Sequence, residues 1–271
     1  MNSRMTRALL GLASLAACSG GGGGEGELKV QIYGEEYIEA GIPADEFADG
    51  WAITFDSFLI SVGEVAVAAS GAGPAVEETR FQIFDVAADS GGVGQTVAAG
   101  VVPTGAYDDT RYIVAPSSDA VAGNASADDV ARMTDGGLSV YVAGSATKGD
   151  EVKTFAWGFT GRTRYEACES EAVVKAATQA SVQLTIHGDH LFYDDLFSET
   201  PSVRFDLIAA ADGDGDGDIT QAELAAVDIR PLANYQVGST GITNLWDFVE
   251  YLTSTLGHID GEGHCDSERE P

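Results

Sequence analysis

Seven segments of the chain have the composition of β-strands. They are rich in β-branched and aromatic residues, and clusters of glycine, proline and aspartate separate them. The segments are residues 28–33, 51–68, 80–86, 112–115, 138–143, 152–158 and 181–187. Helix-forming sequence is scarce between them, apart from a short stretch at 128–133. We therefore predict a mainly β chain in which residues 27–190 form an antiparallel β-sandwich.

The pattern changes after His190, where helical periodicity replaces strand-like alternation. Residues 205–211 and 221–227 suit short helices, and residues 244–256 suit a longer one. The apolar residues that share one face of the longer helix are Leu245, Phe248, Val249, Leu252 and Leu256. We predict that residues 191–271 form a small C-terminal α-helical subdomain packed on the sandwich.

Capping residues flank the longest predicted helix. Thr243 or Asn244 can cap its start, and Gly257 can end it in the left-handed conformation. The last residues, 266–271, are mostly charged. We expect this acidic tail to be disordered.

The N-terminus has the form of an export signal. Arg4 and Arg7 precede a short apolar run, residues 8–17, that is too short to span a membrane. Residues 15–18 (LAAC) resemble the bacterial lipobox, which implies cleavage after residue 17 and a lipid on Cys18. The alternative is a plain secretory signal. The glycine-rich residues after the cysteine suit a tether over residues 18–26.

Acidic residues dominate the composition. The full chain has 14 basic and 43 acidic residues and a net charge of −29; removal of Arg4 and Arg7 with the signal takes the net charge to −31. Such a surface repels nucleic acid and anionic lipid headgroups. We expect an exported envelope protein that meets the membrane through its lipid alone. Ser19 after the lipidated cysteine favours the outer membrane.

Two further cysteines, Cys168 and Cys265, remain once Cys18 carries a lipid. Thiols outside the cytoplasm usually pair. We therefore predict a Cys168–Cys265 disulfide, which would stabilise the fold by about 4 to 5 kcal/mol in the chain-entropy model.

Residues 212–223 (DGDGDGDITQAE) match the twelve-residue pattern of EF-hand calcium loops, which they resemble throughout. The resemblance implies a calcium shell from the loop residues Asp212, Asp214, Asp216, Asp218 through its backbone carbonyl, Thr220 and Glu223. Ile219 would point inward, and Gly217 would form the tight turn. The alternative is an acidic, glycine-rich surface loop.

Only one register of this loop works. A start at Asp214 would put Ile219 where glycine is needed and Ala225 where glutamate is needed. The sequence shows no second loop, although EF-hands usually occur in pairs. A lone loop in an exported protein is expected to stabilise the fold at a weak affinity of about 10⁻⁴ to 10⁻³ M.

All four histidines, His187, His190, His258 and His264, lie in the last third of the chain. Neutral imidazole suits copper or zinc, so they are candidate ligands of a transition metal. Joint ligation by His187 and His190 requires Gly188 to interrupt the strand, because residues three apart on one strand point to opposite faces. The alternative is that these are structural or surface histidines.

The sequence contains no nucleophile-elbow, phosphate-loop or metalloprotease motif. We therefore expect a non-enzymatic, calcium-binding envelope protein. The competing hypotheses are a copper- or zinc-handling protein that uses the histidines, and a hydrolase whose carboxylates the sequence does not single out.

Overall fold

The computed structural model describes residues 23–270, so the lipobox and Cys18 lie outside the described residues. The strands are β1 (Glu25–Gly34), β2 (Ala52–Ala68), β3 (Val76–Glu78), β4 (Gln82–Asp85), β5 (Gln95–Pro103), β6 (Gly105–Tyr107), β7 (Asp109–Val114), β8 (Val121–Ala122), β9 (Val140–Lys148), β10 (Glu151–Phe159), β11 (Arg162–Cys168), β12 (Ala172–Val174), β13 (Gln179–Ile186), β14 (Asp218–Ile219), β15 (Gly257–Ile259) and β16 (Asp266–Glu270). The helices are α1 (Glu36–Glu39), α2 (Ala127–Gly136), α3 (Asp206–Ala209), α4 (Gln221–Ala226) and α5 (Leu245–Leu252), and 3-10 turns occupy Asp189–Phe192 and Thr253–Thr255. The prediction of a mainly β chain is confirmed.

The strands form two mixed sheets and one separate pair, β12 with β6. The smaller sheet has the order β15-β13-β1-β5, and the larger has the order β14-β10-β9-β2-β7-β11-β16 with β3, β4 and β8 attached at β2 and β4. β1 pairs in parallel with β13 and antiparallel with β5. The prediction of purely antiparallel pairing is therefore wrong. The chain builds most of the larger sheet between β1 and β13 and then returns beside β1 in the same direction.

β2 is the strand around which the larger sheet is built. Its 17 residues pair with β9 and β7, and its register shifts between Phe55 and Ser57 and between Gly63 and Ala66. Such bulges increase the local twist, so a strand of this length can curl. Residues 58–63 are buried on both faces, because α2 covers the side that faces away from the main core. This explains the loss of alternation in that part of the sequence.

One buried apolar cluster extends from β1 to β15. It includes Leu28 and Trp157 of the strands and also Phe248 and Leu252 of α5. The three segments predicted to be helical after residue 190 contain α3, α4 and α5, and the Asn244 side chain caps α5 by accepting from the backbone N–H of Asp247. The helices thus pack into the same core as the sheets.

The acidic tail is ordered, contrary to the prediction. Asp266–Glu270 forms β16, which pairs antiparallel with β11. Glu270 accepts hydrogen bonds from Arg162 and Arg164, and these guanidinium groups hold the pKa of Glu270 below its usual range. Composition alone suggested a solvated tail because it does not reveal the two arginines on the neighbouring strand.

Gly257 does not cap α5, so that prediction is also wrong. The helix continues into the Thr253–Thr255 turn, and Gly257 begins β15. A Cβ atom at residue 257 would lie 2.7 Å from the Tyr165 ring and would also meet the Tyr112 hydroxyl. Close packing, not a left-handed backbone, is therefore the reason for glycine here.

Cys168 and Cys265 form a disulfide, as predicted. The bond joins residues 97 apart in the chain at the end of β11. Next to it, the backbone N–H of Glu169 donates to the carbonyl of His264 at 3.2 Å. The disulfide therefore fixes the segment that carries His264 against the larger sheet.

Candidate metal centres

The acidic loop 212–223 is attached to the edge of the larger sheet. Asp218 and Ile219 form β14, which pairs in parallel with β10, and the Trp157 indole N–H donates to the Ile219 carbonyl at 2.8 Å. Ile219 is buried, at the position where the EF-hand pattern has an inward-pointing residue. A strand of the larger sheet thus supports this part of the loop.

Three carboxylates of the loop converge. One oxygen atom from each of Asp212, Asp214 and Glu223 lies within 4.8 Å of the other two. Calcium binds oxygen at about 2.3 to 2.6 Å, so oxygens on opposite sides of the ion are about 5 Å apart. The spacing of these three carboxylates therefore fits one hard cation.

The side chains of the other predicted ligands make contacts within the loop or with the sheet. Asp216 accepts from the backbone N–H of Asp218 at 2.8 Å, and the Asp218 carboxylate accepts from the Thr154 hydroxyl at 3.0 Å. The Thr220 hydroxyl donates to Glu223 at 2.8 Å. The Asp218 side chain thus contacts the sheet, and its expected contribution to a bound ion is its backbone carbonyl.

A lysine that the sequence analysis missed contacts the first residue of the loop. Lys153 Nζ donates to Asp212 Oδ2 at 2.7 Å, and the Asp212 side chain is only 3% exposed. The hydrogen bond from Lys153 lowers the pKa of Asp212. Lys153 lies on β10, one residue before the strand meets β14, so the pairing that supports the loop also brings the ammonium group to it.

Three of the four histidines form a second cluster. The ring centroids of His187 and His258 are 4.4 Å apart, and that of His190 lies 5.1 Å from His187 and 5.2 Å from His258. β13 ends at Ile186, and Gly188 leads into the Asp189–Phe192 turn, which interrupts the strand as joint ligation requires. His258 comes from β15, which pairs with β13.

Backbone carbonyls determine the tautomer of two of these rings. His190 Nδ1 lies 2.7 Å from the Thr255 carbonyl, and His187 Nε2 lies 3.3 Å from the Gly261 carbonyl. A carbonyl only accepts, so each of these nitrogens carries the hydrogen. The lone pair of a neutral ring is then on Nε2 of His190 and on Nδ1 of His187, and the latter lies 3.4 Å from Glu35 Oε2.

Carboxylates complete the cluster, and sequence reasoning missed all of them. Oxygen and nitrogen atoms of His187, Asp189 and His190 lie within 4.8 Å of one another, and so do those of His187, His258 and Glu262. Glu35 reaches the cluster because Gly34 of β1 pairs with Ile186 of β13, so the next residues, Glu35 and His187, are neighbours. Only the parallel pairing of β1 with β13 brings them together.

Burial and crowding of like charges perturb the groups in this cluster. Burial and the neighbouring Asp189 raise the pKa of Glu35 to about 8. Burial, with a contribution from His187, lowers the pKa of His190 to about 3 and that of His258 to about 4. His190 and His258 are therefore neutral at neutral pH, which is the form of imidazole that binds metal ions.

His264 lies at the rim of the cluster. His264 is exposed, and its ring centroid is 5.9 Å from that of His258. It belongs to neither three-residue group. The structure thus brings three predicted histidines into one cluster and leaves the fourth beside it.

No family profile, no curated protein and no solved structure matches the chain. Among residues 23–270, no helix has the length and apolar character needed to cross a membrane.

Proposed function

We propose that this protein is a non-enzymatic, calcium-binding lipoprotein of the bacterial envelope. The observation that supports this most directly is the convergence of Asp212, Asp214 and Glu223 in the one loop register that matches the EF-hand pattern. Calcium supplies the positive charge that these carboxylates need. Its principal role in the proposal is to stabilise the fold.

The surroundings of the loop favour stabilisation over a conformational switch. β10 holds the C-terminal half of the loop through Ile219, and α4, which begins two residues later, buries Leu224 and packs on α5. An EF-hand that opens on binding needs helices that separate. Here the helix after the loop has six residues and is packed into the common core.

The proposed architecture is a β-sandwich with a small C-terminal helical subdomain that contains the loop. Two sheets that share one apolar cluster support the sandwich, and the contact between α4 and α5 supports the helical unit. The lipid anchor on Cys18 and the outer-membrane location rest on the sequence of residues 15–19.

Calorimetric titration of chelator-treated protein with calcium tests the proposal. We expect one equivalent to bind, and Glu223→Gln to weaken binding strongly, because it removes charge from the ligand that closes the shell. Asp218→Ala is the matched control: it also removes one loop carboxylate, but its side chain faces Thr154 and should matter least. No heat of binding, together with identical melting curves in calcium and in chelator, would contradict the proposal.

A further inference from the structure

We propose that His187, Asp189 and His190 bind one Zn²⁺ or Cu²⁺ ion, with the Glu35 carboxylate beside it. This site is separate from the calcium loop and does not depend on it. The three residues offer donor atoms within 4.8 Å of one another on a short, well-packed stretch of chain. A chelating pair of imidazoles with a carboxylate is a typical ligand set for these metals.

The orientation of the two imidazoles supports metal binding. A histidine that binds a metal through one ring nitrogen usually donates its other ring N–H to a carbonyl or carboxylate. His190 does this through Nδ1 to the Thr255 carbonyl, and His187 does it through Nε2 to the Gly261 carbonyl. Both rings are buried, so these contacts hold them in place.

The cluster also holds polar atoms whose bonding is incomplete. Six buried side-chain atoms among the described residues have no hydrogen-bond partner, and two of them are Asp189 Oδ1 and His258 Nδ1. The other oxygen of Asp189 accepts from the Tyr193 hydroxyl at 3.1 Å, which orients the carboxylate. An unpaired buried carboxylate oxygen is unfavourable, and a bound cation removes that penalty.

The charge balance points the same way. Glu35, Asp189 and Glu262 lie in or beside the cluster, and among residues 23–270 no lysine or arginine forms an ion pair with any of them. In contrast, Asp194, Asp206 and Glu270 each have a basic partner. A divalent cation would offset the negative charge of Asp189 and Glu35, which are both partly buried, and the nitrogen donors favour zinc or copper over calcium.

The second three-residue group, His187 with His258 and Glu262, is the nearest alternative position. Glu262 is exposed, whereas His187 and His190 are buried and Asp189 is partly buried. The Asp189 group also contains the unpartnered carboxylate oxygen. We therefore assign the ion to that group and treat His258 as a neighbour of the site.

The test is titration of chelator-treated protein with zinc or with copper, in the presence of saturating calcium so that the acidic loop is filled. One equivalent should bind, and the copper form should show an electron paramagnetic resonance spectrum with coupling to two nitrogens. Loss of a hydrogen-bond partner outside the ligand set weakens metal binding by about 10- to 100-fold, so His187→Gln, His190→Gln and Asp189→Asn should weaken it at least as much. His264→Gln is the matched control and should leave the affinity unchanged, because His264 lies outside both groups.

Circular dichroism of each variant, with a check that the disulfide has formed, separates loss of a ligand from loss of the fold. Absence of stoichiometric binding by wild-type protein would overturn the proposal, as would unchanged affinity in folded His190→Gln and Asp189→Asn proteins. A loss of binding in His258→Gln but not in His190→Gln would place the ion on the other group and overturn this assignment. The Glu223→Gln protein should bind zinc normally, so this result and the calcium result are independent.

Discussion

Lys153 is the single residue that we expect to set the affinity of the proposed calcium loop. Its ammonium group occupies one side of Asp212, which is the first predicted ligand. In the absence of calcium it offsets part of the repulsion among the loop carboxylates. When calcium binds, the same ammonium group repels the ion. One contact therefore stabilises the calcium-free loop and weakens its affinity.

We predict that Lys153→Met raises the affinity for calcium several-fold and lowers the melting temperature of the calcium-free protein. The gain in melting temperature on adding calcium should then be larger than in wild type. Lys153→Arg, which keeps the charge, is the control and should resemble wild type. Titration calorimetry and thermal melts give both quantities, and equal or weaker calcium binding by Lys153→Met would show that the ammonium group does not compete with the ion.

The pKa of Glu35 leads to a second prediction, which concerns the stability of the metal-free protein as a function of pH. Its pKa is about 8 in the folded state against an ordinary value of 4.5, so between these values the folded protein keeps a proton that the unfolded chain has lost. Stability from this group therefore falls as pH rises through that window. The lowered pKa of His190 acts in the opposite sense, but only below its unfolded value of 6.5.

Between pH 6.5 and 8, Glu35 therefore changes the pH dependence of the free energy of unfolding and His190 does not. In chelator, Glu35→Gln should melt at a higher temperature than wild type at pH 8, and the difference should shrink toward pH 5. Glu36→Gln is the control, because Glu36 is an exposed neighbour. A difference in melting temperature between wild type and Glu35→Gln that stays constant from pH 5 to 8 would mean that Glu35 is ionised in the folded protein.

At the scale of elements, β15 depends on the absence of a side chain at residue 257. Gly257→Ala would push a methyl group against Tyr112 and Tyr165, and overpacking of this kind typically costs about 1 to 3 kcal/mol. Gly105 in β6 has no atom within 4 Å of an added Cβ, so Gly105→Ala is the matched control and should change stability by less than about 1 kcal/mol. Urea unfolding measures both, and equal midpoints would show that β15 shifts without strain.

The sequence predicted those elements whose pattern is local. Each of the seven predicted strand segments overlaps a strand, and the helices after residue 190 begin near the predicted positions. β5 was missed because alanine and glycine weaken its strand signal, and β11 because its arginines mask an alternation that is present in Arg162–Cys168. The sequence did not predict which strands pair, because the register of β1 with β13 depends on how the intervening chain packs.

The two candidate sites differ in the same way. The proposed calcium loop is contiguous, so the sequence shows the spacing of its candidate ligands directly, whereas Lys153 comes from another strand. The histidines were found because they are scarce. Glu35 and Asp189 were not, because acidic residues are common in this chain and only the fold selects these two.

At the scale of the whole molecule, the net negative charge opposes direct contact with an anionic membrane surface. The mature chain would carry a net charge of −31, so its surface repels anionic headgroups, and the apolar side chains of α5 are buried in the core. The two proposed cation sites, the loop 212–223 and the histidine cluster, would each lower this charge. Neither candidate site provides an apolar surface for insertion, so the proposed attachment to a membrane depends on the proposed lipid on Cys18.

We therefore predict that Cys18→Ser, expressed in a bacterial host, releases the protein from the membrane fraction. The reason is that residue 18 is the acceptor that the lipobox pattern of residues 15–18 implies, and the acidic surface gives no second means of attachment. A labelled fatty acid should appear on the wild-type protein and be absent from the variant. Cys265→Ser is the control, because it removes a cysteine that belongs to the disulfide and should leave the label in place. Label on the Cys18→Ser protein, or its retention in washed membranes at high salt, would rule out the anchor.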